Sequence, residues 1–488
     1  MIKAASFKDQ DVAVFGLGRT GLTAAKSLAA GGARVHAWDD REEAREQAQS
    51  EGINLTDLTT SDWHDYEALV LSPGVPHKLP KPHWTAQRAE AAGVPIICDI
   101  EIFAREFNAR AKGNRPKIIA ITGTNGKSTT TALTAHILSE CDRAVQMGGN
   151  IGRGVLDLDR MHAGMVYVLE LSSYQLERSP SLHADVAVFL NLSPDHLDRH
   201  GDLNGYEAAK RNIFNNQTAE DTAIIGVDNP EGRRLCTAMT ARNGRSVIPI
   251  SGRKSLGRGT CVIKGKLYCA QKRTVNEVAD LTRAGGLEGT HNWQNAAAAY
   301  AAVSALGIKT DKIGKAILSF PGLAHRMETI GSVGRIRYVN DSKATNADAA
   351  RQALASYKNI YWIAGGVPKE GGIEPLSDLF GNVKKTYLIG EAAKTFAKTL
   401  KTTKQDCKIS GTLEAAILCA TKDALTSNKT DAIILLAPAC ASFDQFKNFE
   451  TRGDAFRDKA QEIITIFERE KARNNSAKQA NAKSGAAA

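Results

Sequence analysis

The sequence lacks most of what an extracellular or membrane protein needs. Its eight cysteines, Cys98, Cys141, Cys236, Cys261, Cys269, Cys407, Cys419 and Cys440, are scattered, and none forms a Cys-x-x-Cys pair. That spacing argues against a disulfide frame or a cysteine zinc site and for a reducing compartment. The longest apolar run, near Ala432 to Ala441, is too short for a bilayer, which takes ~20 residues. The N-terminus has no signal-peptide apolar core. A cytoplasmic location without membrane attachment is expected. The formal net charge is +10, yet no dense Lys/Arg run is interleaved with aromatics, so nucleic acid is a poor partner. Phosphate-bearing substrates use up positive charge more simply. Part of the charge lies in Lys471 to Ala488, where Lys471, Arg473, Lys478 and Lys483 stand among Ala, Asn and Ser without an acid. That composition predicts a disordered tail.

What is present is organised around Ile118 to Thr131. The β-branched run Ile118 to Ile121 reads as a buried strand. Gly123, Thr124, Asn125 and Gly126 form a glycine turn, and Lys127, Ser128 and Thr129 open a segment with helical apolar spacing. This is the grammar of a phosphate-binding loop. Glycines let backbone N–H groups close on phosphate oxygens, and the helix N-terminus adds unpaired donors. Lys127 would reach the β- and γ-phosphates and the Ser128 hydroxyl would sit on Mg²⁺. The usual pattern wants a glycine where Ile121 stands, so the loop is shortened.

At 488 residues, two to four domains of ~100–200 residues are expected. The first opens with a strand at Val12 to Phe15, then Gly16, Gly18 and Gly21 in Gly-x-Gly-x-x-Gly, then a helix, then a strand at Val35 to Trp38 ending in Asp39. This is a dinucleotide-type fingerprint. It fits NAD or a uridine diphosphate, and these residues alone leave both open. Strands at Ala68 to Leu71, before Ser72-Pro-Gly-Val, and at Pro95 to Cys98 continue a parallel sheet. A polar, basic linker is placed at Asn108 to Pro116.

In the second domain, strands at Met165 to Leu169 and Val186 to Leu192 bring Glu170, Asn191 and His196 to strand ends, where ligands collect in open α/β sheets. His196 fits either a locally packed loop histidine or a Mg²⁺ site. Lys210 falls on the apolar face made by Tyr206, Ala209, Ile213 and Phe214. It either extends its ammonium to water or finds a special partner. Ile224 to Leu281 shows short strands and little function. The helix from His291 is capped by polar residues, of which Asn292 or Asn295 could also meet a base. A third domain follows a break near Leu323, with strands at Ile336 to Val339, Ile360 to Ala364, Thr386 to Ile389 and Ala432 to Leu436. The expected boundaries are 1–112, 113–323, 324–472 and a tail at 473–488.

Five pieces in order, Thr122 to Thr129, Glu170 to Glu177, Asn191 to His200, His325-Arg326 and Asp341 to Asn346, resemble those of the Mur ligase family. The likeness covers almost the whole chain short of the tail and Ile224 to Leu281. It implies three α/β domains: a Rossmann-like N-terminal domain, a central phosphate-loop ATPase domain with a parallel sheet, and a Rossmann-like C-terminal domain. Gly16-Leu-Gly-Arg-Thr-Gly, Ser72-Pro-Gly, Tyr206-Glu-Ala-Ala-Lys-Arg and the run from Ser442 to Gly453 resemble the members that add D-glutamate to UDP-N-acetylmuramoyl-L-alanine, a peptidoglycan precursor.

The resemblance implies that the first domain binds the UDP-sugar, not NAD, through Gly18, Arg19, Thr20, Asp39, Arg41, Ser72, Pro73 and Gly74, with Asn150 and Gln175. It implies ATP contacts at Gly123 to Thr129, Asn295, Arg326 and Asp341. It implies two Mg²⁺ ions served by Ser128, Glu170, His196 and a carbamylated Lys210. Lys343, Thr345, Lys369, Ser442 and Phe449 resemble a D-glutamate pocket. Lys127, His196, Lys210, Asp341 and Lys343 are the catalytic set, expected to meet between domains, and a monomer is expected. The chemistry suits these residue types, because phosphoryl transfer depends on positioning and cation stabilisation. A folylpolyglutamate synthetase shares the loop but has no need of the first domain. A non-catalytic nucleotide-binding regulator has no reason to keep Glu170, Lys210, Lys343 and Ser442 together.

Overall fold

The computed structural model describes all residues except 242, 243, 245, 272, 273, 288, 369, 370, 428–430 and 486–488, and the side chains of all but these and 271, 291 and 474–485. The chain divides into two compact units, Met1–Phe320 and Pro321–Ala488.

The first unit holds two sheets. Strands β1 (Asp11–Phe15), β2 (Arg34–Trp38), β3 (Ala68–Leu71) and β4 (Ile96–Ile97) form a parallel sheet in the order β2-β1-β3-β4. The second sheet takes β5 (Lys117–Thr122), β6 (Ala144–Gly149), β7 (Met165–Glu170), β8 (Val186–Phe189), β9 (Thr222–Gly226), β10 (Ser246–Ser251), β11 (Gly259–Ile263), β12 (Lys266–Gln271) and β13 (Thr274–Asp280). Its order is β13-β12-β11-β10-β9-β8-β5-β7-β6. Pairing is parallel from β6 to β11 and antiparallel through β12 and β13. Strand β5 lies between β8 and β7, and Ile118 to Ile121 have no exposure, which is why the strand is apolar on both faces.

These two sheets belong to one unit because a single core runs through both, with Leu28, Phe103 and Phe107 in the same cluster as Leu156, Tyr167 and Phe189. The Glu101 carboxylate accepts the Ser181 N–H at 2.8 Å and its hydroxyl at 2.7 Å. The second unit holds β14 (Glu328–Val333), β15 (Ile336–Asn340), β16 (Ile360–Gly365), β17 (Val383–Ile389), β18 (Cys407–Gly411) and β19 (Ala432–Leu436) in the order β14-β15-β19-β16-β17-β18. Only β14 is antiparallel. Apolar clusters cover both faces, one around Trp362 and one around Tyr338 and Phe456.

Several expectations change. The units part at Pro321, slightly before Leu323. Strand β8 stops at Phe189, because Leu190 N–H still bonds Thr122 O at 3.0 Å but Asn191 turns away to the phosphate loop. Strand β6 passes through Gly148 and Gly149. The region from Ile224 to Leu281 holds short strands, as expected, and they extend the sheet. The last helix runs Phe449–Gly485, across the stretch that composition assigns to a disordered tail. Alanine and lysine there have high helix propensity, and the helix simply continues one whose first turns are packed by Phe456, Ala460 and Ile464. Among the described residues no helix is long and apolar enough to cross a membrane.

Candidate active site

The first cluster forms at the carboxyl end of the small sheet. After β1 the chain turns at Gly16 with φ +89°, and a Cβ there would lie 2.8 Å from Ser72 Cβ, so only glycine fits. Ser72 Oγ donates to Gly16 O at 2.6 Å, which ties the two expected turns together. Asp39, 6% exposed, accepts the N–H of Leu17 at 2.7 Å and of Arg41 at 2.9 Å. Its carboxylate therefore braces the glycine turn. Gly18, Arg19 and Gly74 are exposed, and Thr20, Ser72 and Pro73 half-buried, around the N-terminus of the helix Arg19–Gly31. A helix N-terminus beside a glycine turn favours an anion.

The second cluster is the phosphate loop after β5. Gly126, at φ +84°, precedes the helix Lys127–Glu140. Thr124 N–H bonds Asn191 O at 3.0 Å and Asn125 N–H bonds Asn191 Oδ1 at 2.9 Å. Asn191 thus shapes the loop from behind. Lys127 Nζ folds back onto Gly123 O at 2.9 Å and Thr124 O at 2.8 Å. Ser128 Oγ donates to Glu170 Oε2 at 2.5 Å, and Asn150 Nδ2 donates to Glu170 Oε1 at 2.9 Å. Asn295, 3% exposed, lies against Gly126 and accepts from Thr130 Oγ1 at 3.3 Å.

Lys210 is 1% exposed and its Nζ donates to Gly123 O at 2.8 Å, with the Tyr206 ring 4.5 Å away. Burial, with the Lys127 charge nearby, drives its pKa well below the ordinary lysine range. Of the two sequence alternatives, extension to water fails, since the amine is enclosed. His196 takes a left-handed backbone at φ +53°, with Nε2 3.4 Å from the Asp195 carboxylate and its ring 5.2 Å from that of Tyr174. Gln175 is 2% exposed and pairs with Ser172 in a capping box.

A third cluster lies in the second unit. Asp341 is 8% exposed and accepts the Met327 N–H at 3.3 Å. Burial pushes its carboxyl up to about 7, against the pull of Arg326. Lys343 Nζ stands 3.8 Å over the Phe449 ring, and Thr345 N–H bonds Lys343 O at 2.7 Å. Ser442 is 2% exposed. Arg452, 1% exposed, donates to Ser342 Oγ at 3.0 Å and to the carbonyls of Ser342, Cys440 and Ala441 at 2.9, 3.1 and 3.3 Å. It knits the loops carrying Lys343 and Ser442. Lys369 lies outside the described residues.

The structure thus gathers Gly123 to Thr129, Asn150, Glu170, Lys210 and Asn295 in the first unit, and Arg326, Asp341, Lys343, Thr345, Ser442 and Phe449 in the second. Sequence reasoning missed Arg178, Arg199 and Arg452, which position loops. A basic residue in a short turn, or in the first turn of a helix as Arg452 is in Phe449–Gly485, carries no periodic signal of burial. Ser128 and Glu170 offer close oxygens beside a phosphate loop, a donor set that suits Mg²⁺. No group of three or more His, Cys, Asp or Glu that could hold a metal ion gathers among the described residues.

A phosphate-loop sheet in one chain with two further α/β domains is the make-up of an ATP-dependent acid–amine ligase. The chain belongs to the Mur ligase family: residues 10–98 match the Mur ligase MurD-like N-terminal domain, 121–303 the Mur ligase middle domain, and 325–440 the Mur ligase glutamate ligase domain. Among relatives, the UDP-N-acetylmuramoylalanine–D-glutamate ligase of Caulobacter sp. (strain K31) is 59% identical over 94% of this chain and 97% of its own. The enzyme of that name from Nitrobacter hamburgensis is 48% identical over 94% and 97%. In fold, the chain is similar to UDP-N-acetylmuramate-alanine ligase MurC from Thermotoga maritima, with a TM-score of 0.56 at 18% identity over 93% of this chain and 99% of that one. A pseudomurein peptide ligase type C from Methanothermus fervidus gives 0.54 at 18% identity over 93% and 100%.

Proposed function

We propose that this chain joins D-glutamate to UDP-N-acetylmuramoyl-L-alanine, with ATP converted to ADP and phosphate, in peptidoglycan precursor synthesis. The observation that carries the substrate assignment is the near-full-length identity to relatives bearing that name. Mur ligases use ATP and Mg²⁺. ATP phosphates lie on Gly123 to Thr129, with Lys127 turning from its two carbonyls to the γ-phosphate, and Asn295, Arg326 and Asp341 completing the nucleotide site. The UDP-sugar lies on Gly18, Arg19, Thr20, Asp39, Arg41, Ser72, Pro73, Gly74, Asn150 and Gln175. D-Glutamate takes Lys343, Thr345, Lys369, Ser442 and Phe449.

A substrate carboxylate oxygen attacks the γ-phosphorus of ATP, and the bond to ADP breaks. The resulting acyl phosphate is attacked at carbon by the amine of D-glutamate, and inorganic phosphate leaves. Lys127 and Lys343 offset the charge that develops on the phosphoryl oxygens. The amine proton needs a base. Of His196 and Asp341, we favour Asp341, whose carboxyl near 7 suits proton uptake at neutral pH. Ser128, Glu170 and His196 would hold Mg²⁺, which supplies further charge neutralisation.

A carbamate on Lys210 would hold a second Mg²⁺, directly or indirectly. The enclosed amine, whose proton affinity burial lowers, adds CO₂ and loses a proton. The charge becomes negative and the group presents oxygens, the donor Mg²⁺ prefers. Lys210→Ala should abolish turnover, with partial rescue by acetate, and Lys210→Arg should not be rescued. Carbon-13 NMR with labelled bicarbonate should show a carbamate signal that Lys210→Ala removes; a surviving signal sinks this part. The substrate assignment is tested by phosphate release with D-glutamate, L-glutamate and L-alanine as acceptors. Release should need both the UDP-sugar acid and D-glutamate, and equal rates with the other amino acids would reject it.

A further inference from the structure

Five consecutive carbonyls, from the last residue of β3 onward, are held by two arginines from the following domain. Arg178 Nη1 donates to Leu71 O at 3.0 Å and Ser72 O at 3.3 Å, and Nη2 to Pro73 O at 3.1 Å. Arg199 Nη1 donates to Gly74 O at 3.1 Å and Nη2 to Val75 O at 3.3 Å. The two are coupled through Tyr174: its carbonyl accepts Arg178 Nε at 3.1 Å, and Arg199 lies 4.5 Å over its ring. Arg178 is 1% exposed. A guanidinium that deep is costly without dense hydrogen bonding, and here backbone carbonyls supply it.

The carriers matter as much as the target. Arg178 follows the helical turn Ser173–Leu176, which hangs from the end of β7 at Glu170. Arg199 lies in the turn Leu197–His200, directly after His196. Both arginines therefore reach from the phosphate-loop side of the unit to the Ser72-Pro-Gly turn. Because a trans peptide is planar, drawing Pro73 O to Arg178 sends the Gly74 N–H the other way. Ser72 Oγ meanwhile holds Gly16 O. The clamp thus fixes both the distance of this turn from the phosphate loop and the direction of its donor.

We propose that Arg178 and Arg199 are paired positioning residues that hold the 71–75 turn in register with the phosphate loop, so that a sugar nucleotide diphosphate seated on the turn presents its carboxyl to ATP. The ligand named here rests on the function proposed above. The alternative is that the arginines only glue two domains together, and the two views differ in what they do to each substrate.

The test uses the full chain with Arg199→Met, Arg199→Lys and Arg178→Met. Initial rates are measured against UDP-N-acetylmuramoyl-L-alanine and against ATP, with thermal unfolding and amide exchange of the peptide spanning 71–78. Loss of charged hydrogen bonds should raise KM for the sugar nucleotide about tenfold to a hundredfold. KM for ATP should stay within about twofold, and exchange after Leu71 should speed up. Arg199→Lys should restore only part, because an ammonium cannot grip two carbonyls with one fork. Arg199 is half-buried, so its variants carry the test if Arg178→Met fails to fold. Equal rises in both KM values, or faster exchange with an unchanged sugar-nucleotide KM, would overturn the proposal. Wild-type protein that binds no UDP compound would overturn the substrate reading instead, while the exchange rates would still decide whether the arginines hold the turn.

Discussion

Asp341→Asn should stabilise the second unit at alkaline pH while removing activity. Asp341 is 8% exposed, and burial raises its carboxyl from an ordinary 3.8 to about 7. Below pH 3.8 the group is protonated in both the folded and unfolded states and has no effect. Between 3.8 and 7 the unfolded chain ionises and the folded chain does not, so the folded state binds more protons and stability falls as pH rises. Above 7 the loss is complete. The rise is about three pH units, and at about 1.4 kcal/mol per unit the ceiling is about 4 kcal/mol. With local relaxation and Arg326 nearby, about 2–4 kcal/mol is expected at pH 8.5. Asparagine keeps the shape and carries no charge, so the variant should match the parent at pH 4 and exceed it by that amount at pH 8.5. Urea unfolding of the unliganded chain, followed by fluorescence, measures this. Trp362 is the one tryptophan among residues 321–488 and has no exposure, so it reports the relevant transition. Equal stability of variant and parent at both pH values would refute the reasoning, and so would a gain confined to acid.

Other substitutions separate the clusters. Lys127→Ala should lose turnover yet leave UDP-sugar binding nearly intact, checked by calorimetry with the sugar nucleotide alone. Gly126→Ala forces a side chain into a left-handed position, at about 1–2 kcal/mol, with its Cβ 2.2 Å from Asn295 Oδ1. ATP affinity should drop about tenfold or more, read by equilibrium binding. Arg452→Met takes the guanidinium from the carbonyls of the buried Ser342 and Cys440, while Ala441 O keeps the Val367 N–H at 3.0 Å, and the melting temperature should fall by an amount matching about 3 kcal/mol, seen by calorimetric scanning.

Sequence alone determined the local pieces. The apolar β-branched run Ile118 to Ile121 reads as a buried strand, and a glycine turn before Lys127 and Ser128 reads as the approach to a helix start with open donors. Lys210 on an apolar helix face left open whether its ammonium reaches water or is enclosed, and the fold decided for enclosure. These signals are legible because they depend on neighbours within one or two turns of chain. The tertiary structure alone decided which groups meet. Ser128 and Glu170 stand 42 positions apart, and their contact follows from β5 lying beside β7. Asp39 is found bracing the glycine turn through the Leu17 N–H, and Asn150 holding Glu170. Arg178 and Arg452 are more extreme. Nothing near them in sequence marks them as buried, since what makes an enclosed guanidinium tolerable is a set of carbonyls from distant loops. Arg178 reaches 107 positions back to Leu71 and Arg452 reaches 110 back to Ser342. A charge is stable inside a protein only through partners that satisfy it, and those partners exist only once the chain has folded.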